Sequence, residues 1–126
     1  MRLPRDKIKT ILIARGDALG DVVLSTCLIK PLRSAYPDAK IIYLISVDYK
    51  DIMDYIPEVD EIIEEKLDYN IGLKDTIELI QFTKKLRQTK IDLFIGVWAN
   101  PKYALACFLA GIKYRVGHSL FLLNRI

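Results

Sequence analysis

The chain has 126 residues, of which 52% are apolar and 28% charged, and its formal net charge is +3. This composition is typical of one globular domain and excludes a disordered or fibrous chain. The longest uncharged apolar run, residues 103–112, is too short to cross a bilayer, and residues 1–10 lack the apolar region of a signal peptide. We therefore expect a single cytoplasmic domain spanning 1–126.

Five short segments rich in β-branched and aromatic residues predict strands. They are residues 9–14, 40–45, 59–64, 91–97 and 113–117. Because their apolar runs show little polar alternation, these strands are expected to be covered on both faces of a sheet.

Helical patterns separate the predicted strands. They cover residues 20–36, 49–55, 73–87 and 101–110, and in the third the apolar positions are Leu73, Ile77, Ile80 and Leu86. Pro31 interrupts the first pattern, so we expect a kink or break near residues 27–31. The alternation predicts an α/β fold: a Rossmann-like open parallel sheet of about five strands with helices on both faces.

Ligands of such sheets bind beyond the carboxyl ends of the strands, which directs attention to three loops. These are residues 15–21, 46–49 and 98–102. The two cysteines, Cys27 and Cys107, lie far apart in apolar helical segments. This spacing predicts buried free thiols and no metal site.

The first loop, RGDALGD, is the most informative. It lacks the third glycine of a dinucleotide fingerprint, and Asp21 stands where a phosphate-binding loop has lysine. A carboxylate at a helix start is stabilised in its ionised form and could accept a proton from a substrate hydroxyl, although it could also simply cap the helix.

The same loop supplies most of the predicted substrate contacts. They are Arg15, Gly16, Asp17, Ala18 and Gly20, joined by Asn100 and Lys102 from the third loop. Alternatives stay open: Asp17 could be a turn residue, Arg15 a counter-charge, and Asn100 and Lys102 a helix cap and a solvated lysine.

At this point a family resemblance is visible. The stretch ILIARGDALGDVVLSTCLIKPLRSAYPDAKIIYL, followed by IPEVDEII, resembles the start of glycosyltransferase family 9, the ADP-heptose:lipopolysaccharide heptosyltransferases. The family pattern is a strand, a basic residue, a small-residue loop ending in Gly-Asp and a threonine-containing helix, matched here by Arg15, Gly20, Asp21 and Thr26. Two further pieces match at residues 36–41 and 57–63, and residues 91–118 resemble the next strand, polar loop, helix and short basic strand.

The resemblance implies a transferase of two Rossmann-like domains. It would move a heptose-like sugar from an ADP-sugar to a lipopolysaccharide-core or related glycan acceptor with inversion, and Asp21 would be the catalytic base. The family holds its nucleotide-sugar mainly in a C-terminal domain that these residues do not contain, so we expect an acceptor-side N-terminal domain that is inactive alone. A free-standing binding module or partner subunit without catalysis is the alternative.

The expected partners follow from the same interpretation. Inversion by a single base requires no metal, and we expect no cofactor. Basic residues cluster at two places: Arg2, Arg5, Lys7 and Lys9, and Lys84, Lys85, Arg87 and Lys90. Solvated helix ends explain most such clusters, and the alternative is attraction to an anionic substrate or peripheral contact with the inner face of an anionic membrane. No aromatic-interleaved basic stripe is present, so nucleic acid is not an expected partner.

Overall fold

A computed structural model of the chain describes residues 4–14, 23, 26–64, 73–96 and 101–117. Its centre is a five-stranded sheet in the order β3-β2-β1-β4-β5, with every neighbouring pair parallel. The strands are β1 (Thr10–Ala14), β2 (Lys40–Ile45), β3 (Glu61–Glu64), β4 (Leu93–Gly96) and β5 (Tyr114–Gly117). The predicted Rossmann-like open sheet is therefore confirmed.

Helices cover both faces of this sheet. They are α1 (Ile29–Ala35), α2 (Leu73–Thr89) and α3 (Pro101–Leu109), together with 3-10 segments at Arg5–Lys7, Thr26–Leu28 and Val47–Tyr55. Side chains of a strand alternate between faces, so neighbouring residues of β1 belong to different cores. Leu12 packs on the side of α2 and α3, whereas Ile11 and Ile13 pack on the side of α1 and the 3-10 segment Val47–Tyr55.

The ends of the helices follow their local sequence. Pro31 lies in the first turn of α1, where its missing N–H costs little, and the 3-10 turn Thr26–Leu28 precedes it, as the predicted break requires. At the end of α3, Gly111 has a φ of +78°, and the N–H groups of Gly111 and Ile112 bond the carbonyls of Phe108 and Cys107. This is a Schellman ending, which uses glycine because a side chain is strained at that φ.

Three details differ from the sequence expectations. Leu73, Ile77 and Ile80 of α2 are exposed; of the four predicted apolar positions only Leu86 is buried, and Leu79 and Phe82 pack against the core with it. The predicted helix at 49–55 is a 3-10 segment beginning at Val47. Cys107 is buried as expected, but Cys27 is exposed.

No helix within the described ranges is long and apolar enough to cross a membrane.

Candidate functional site

The carboxyl edge of the sheet has a crevice defined by the strand order. The chain leaves β1 towards β2 on one side and returns to β4 on the other, so the direction of winding reverses between β1 and β4. Ala14 and Gly96, the last residues of these two strands, are partners in the parallel ladder. The carboxyl ends of β1 and β4 therefore lie side by side, about 4.8 Å apart, at the point where open sheets bind ligands.

Most of the predicted site residues belong to these two loops. Lys102 is described: it lies in the first turn of α3 and is half-buried. The predicted start of this helix at Pro101 is confirmed. The other predicted residues, Arg15, Gly16, Asp17, Ala18, Gly20, Asp21 and Asn100, lie outside the described residues.

The loop after β2 has a structural role. Ser46 precedes the 3-10 segment Val47–Tyr55, and its hydroxyl accepts a hydrogen bond from the Asp48 N–H at 3.4 Å. A serine or threonine that accepts from the backbone two residues later is a common way to begin a helical turn. Ser46 therefore caps the 3-10 segment that follows β2.

At the amino edge of the sheet, Arg33 joins three elements. Its Nη1 donates to the Ala39 carbonyl at 2.5 Å and the Pro37 carbonyl at 3.2 Å. Its Nη2 donates to the Glu58 carbonyl at 2.8 Å and to Asp60 Oδ2 at 2.7 Å. The guanidinium thus ties the end of α1 to the starts of β2 and β3, a task that its rigid fork of donors suits.

Asp60 completes this clamp, which we call the Arg33–Asp60 clamp. Its Oδ2 also accepts from the Ile41 N–H at 2.8 Å. Burial opposes ionisation of the carboxyl, but the Ile41 hydrogen bond and the Arg33 guanidinium outweigh it, so the pKa of Asp60 lies below its ordinary value. The clamp lies at the amino edge of the sheet, opposite the crevice. The two family-like segments 36–41 and 57–63 contain its partners, so they stabilise the sheet.

Sequence reasoning overlooked Arg33 and one further frame residue. Asp92 lies just before β4, and its Oδ2 accepts from the N–H groups of Lys9 and Thr10 at 2.9 and 3.0 Å. The bond from the Asp92 N–H to the Thr10 carbonyl completes this link between the starts of β1 and β4. The sequence feature that could have revealed Asp92 is its position directly before an apolar strand. Asp92 aligns the two strands whose opposite ends form the crevice.

A groove of about 450 Å³ lies beside the edge strand β3 and was not predicted. Its lining is Ile62, Ile63, Glu64, Glu78, Gln81, Phe82 and Lys85. The groove has two acidic side chains, Glu64 and Glu78. Glu64 is paired, because it accepts a hydrogen bond from Lys50 Nζ at 3.3 Å. Within the described part of the chain no three His, Cys, Asp or Glu side chains form a metal site.

The chain is similar to known sugar transferases, although it matches no protein-family model. It is 29% identical over 107 residues to lipopolysaccharide heptosyltransferase 2 of Escherichia coli K12, a match that covers 85% of this chain and 30% of that protein. It also resembles the glycosyltransferase family 9 structure from Veillonella parvula, with 26% identity and a TM-score of 0.73 over 96% of this chain and 35% of that one.

A third similarity is to the structure of Escherichia coli ADP-heptose lipopolysaccharide heptosyltransferase II. The identity is 25% and the TM-score 0.71, over 87% of this chain and 30% of that one. The chain thus spans about a third of the length of these relatives. The family resemblance seen in the sequence motifs is confirmed by the sequence match to heptosyltransferase 2 and by the two structural matches.

Proposed function

We propose that the chain is a heptosyltransferase-like member of glycosyltransferase family 9 and forms the acceptor-binding, N-terminal half of an inverting sugar transferase, a proposal supported by its similarity to these relatives. The observation that carries the proposal is the pairing of Ala14 with Gly96. Because β1 and β4 end side by side at the reversal of the sheet, we expect the Gly-Asp loop after β1 to meet Asn100 and Lys102 there, Lys102 from the first turn of α3, at the usual ligand position of open α/β folds.

The proposed chemistry is a single displacement. Asp21 accepts the proton of an acceptor hydroxyl as that oxygen bonds to the anomeric carbon of the sugar, and the bond from that carbon to the nucleotide phosphate breaks. The nucleoside diphosphate leaves with the electron pair, and the configuration inverts because one displacement has occurred. Two sequence features support this role: Asp21 directly follows Gly20, and it opens a helical pattern where the ionised carboxylate is favoured.

The substrates are proposed by analogy with the relatives. One relative is named for ADP-heptose and lipopolysaccharide, so we propose an ADP-sugar donor and a lipopolysaccharide-core or related glycan acceptor. Arg15, Gly16, Asp17 and Ala18, with Gly20, Asn100 and Lys102, would contact the acceptor side of the reacting pair. The donor would be held mainly by a second domain, as in the family pattern, and the chain alone would bind acceptor without transferring sugar.

Binding to the isolated chain tests this division of labour. We would titrate the 126-residue chain with a lipopolysaccharide-core oligosaccharide and, separately, with ADP-heptose, following backbone amide resonances. The expected result is saturable binding of the oligosaccharide, with shifts at Ala14, Gly96 and Lys102, and no comparable response to ADP-heptose.

Matched variants sharpen the test. Lys102→Gln should weaken oligosaccharide binding, whereas Lys113→Gln, an exposed lysine at the amino edge of β5, should leave it unchanged. Binding of ADP-heptose alone would contradict the acceptor assignment. Absence of any oligosaccharide response would contradict the site itself. Oligosaccharide binding without catalysis, even when a donor domain is supplied, would favour the binding-module alternative.

A further inference from the structure

The start of α3 is held by one large buried side chain. Among the residues of α3 whose burial the structure describes, Tyr103, Ala106 and Cys107 are buried. Ala106 and Cys107 are small and belong to the second half of the helix, whereas Tyr103 is the bulkiest of the three and lies in the first turn. Because α3 has only nine residues and interiors are closely packed, the place of this ring largely decides where the first turn lies.

The ring of Tyr103 packs on α2. Its centroid lies 5.3 Å from the centroid of the Phe82 ring, and the two ring planes meet at 64°, which is an edge-to-face pair. Such a pair has a defined mutual orientation, because the positive edge of one ring meets the negative face of the other. Phe82 packs against the core cluster that contains Tyr103 and Leu86. Leu86, one turn further along α2, is fully buried, so the ring that receives Tyr103 belongs to a well-anchored helix.

A second contact ties the far end of α3 to the same helix. The Arg87 Nη2 donates to the Leu109 carbonyl at 2.7 Å. Leu109 is the last residue of α3, and Tyr103 precedes it by about 9 Å along the helix axis. Two contacts so far apart restrict both the tilt and the rotation of α3 on α2. The Phe82–Tyr103 pair is the contact nearer to the carboxyl edge of the sheet, because α3 begins there, after the end of β4.

Lys102 immediately precedes Tyr103 in the first turn of α3. Successive residues of a helix point about 100° apart, so the burial of Tyr103 places Lys102 on the flank of the helix, where it is half-buried. The turn follows β4, whose last residue, Gly96, pairs with the last residue of β1 at the crevice. A change in the tilt or rotation of α3 would therefore move Lys102 relative to the crevice.

We propose that Tyr103 is a positioning residue, held by the Phe82 ring, that sets the place of Lys102 at the crevice. The ring acts through Lys102 and does not itself touch the acceptor, because it is buried in the core cluster between the sheet and its helices. The inference rests on the proposed function only for the ligand that Lys102 would meet. The dependence of Lys102 on the Phe82–Tyr103 pair can be measured in the free chain.

Backbone relaxation of the ligand-free 126-residue chain is the first measurement. The order parameter of the Lys102 amide should be about 0.85 in the parent chain, the value of rigid backbone, and fall towards about 0.6 in Tyr103→Leu and in Phe82→Leu. Tyr103→Phe retains the ring and should keep the parent value. The matched control is Ile8→Ala, which removes a buried side chain from the core on the other face of the sheet. It should lower the free energy of unfolding and leave the Lys102 amide unchanged.

Titration with the lipopolysaccharide-core oligosaccharide then connects the pair to binding. Tyr103→Leu and Phe82→Leu should each raise Kd by about 3- to 10-fold, whereas Tyr103→Phe and Ile8→Ala should change it by less than about twofold. In the Lys102→Gln background, Tyr103→Leu should have no additional effect on Kd, because a residue that acts only through Lys102 then has nothing left to position. Phe82 is only partly buried, so Phe82→Leu keeps the test available if circular dichroism shows that Tyr103→Leu unfolds.

Several outcomes would overturn the positioning role. They are an unchanged Lys102 order parameter in both leucine variants, an equal loss in Ile8→Ala, and full additivity of Tyr103→Leu with Lys102→Gln in the titration. A loss in Tyr103→Phe as large as in Tyr103→Leu would overturn the role of the ring. If the parent chain does not bind the oligosaccharide, the proposed function fails, and the order parameters still decide whether the aromatic pair holds Lys102 in place.

Discussion

Replacing Arg33 by alanine should destabilise the domain without touching its crevice. The change removes four hydrogen bonds from one guanidinium, to Pro37, Ala39, Glu58 and Asp60. A hydrogen bond contributes about 0.5–1.5 kcal/mol net to stability, and an exposed ion pair about 0.2–1 kcal/mol. The side chains of Arg33 and Asp60 are 26% and 44% exposed, so solvent screens their interaction and the low end of each range applies.

Together these contributions predict a loss of about 2–4 kcal/mol in the free energy of unfolding, a large part of the roughly 5–15 kcal/mol of an ordinary domain. Urea denaturation at neutral pH measures it. Arg33→Lys keeps the charge but not the fork, so it should fall between the parent and Arg33→Ala. A loss below about 0.5 kcal/mol for Arg33→Ala, the size of an ordinary surface substitution, would refute the role of the clamp.

Three further predictions concern stability and reactivity. Because the pKa of Asp60 is lowered on folding, its ionised carboxylate stabilises the fold at pH values above the ordinary pKa of 3.8, and this stabilisation is lost as the pH falls through the lower folded pKa. Urea denaturation at a series of pH values should therefore show that Asp60→Asn has a lower free energy of unfolding than the parent, by a difference that shrinks below about pH 4. Burial raises the pKa of the Cys107 thiol, so iodoacetamide followed by mass spectrometry should label exposed Cys27 in the native protein and Cys107 only after unfolding. Gly111→Ala should cost about 1 kcal/mol and Gly111→Asn less, because no atom blocks a Cβ there and only the positive φ is strained; equal urea midpoints for all three proteins would contradict this.

The sheet could be predicted from sequence because its signals are local and redundant. β1, β2 and β4 are short and mostly apolar runs, and turns or helix ends separate the strands. The glycine at 111 and the proline at 101 mark the ends of α3, and the structure uses both there. Parallel pairing follows from the helices between strands, since a crossover returns the chain in the same direction.

The orientation of α2 could not be predicted in the same way. The helix has apolar residues on two sides, so periodicity alone cannot say whether Ile77 or Leu79 faces the sheet. Leu86 is buried in the core and Ile77 is not, a choice made by packing against β-strand residues far away in sequence. The exposed stripe at Leu73, Ile77 and Ile80 is the consequence.

The candidate site was only partly accessible to sequence reasoning. The loops could be located because ligands of open sheets gather at the carboxyl edge, and the Ala14–Gly96 pairing agrees with that expectation. The roles of individual loop residues came from the family resemblance and stay predictions. The Arg33–Asp60 clamp escaped notice because its partners are mostly backbone carbonyls, which a sequence pattern does not reveal.

The most direct measurement is the turnover of a chimera in which this chain replaces the matching segment of Escherichia coli lipopolysaccharide heptosyltransferase 2. Initial rates with ADP-heptose would be compared for the parent chimera, Asp21→Asn and Asp38→Asn, the last an exposed carboxylate at the amino edge. If Asp21 is the general base, Asp21→Asn should lower kcat by a factor of about 10²–10⁴ and leave the acceptor KM and the melting temperature unchanged. Asp38→Asn should retain full activity. An Asp21→Asn chimera within about threefold of the parent kcat, or one whose activity falls only with its melting temperature, would contradict the account.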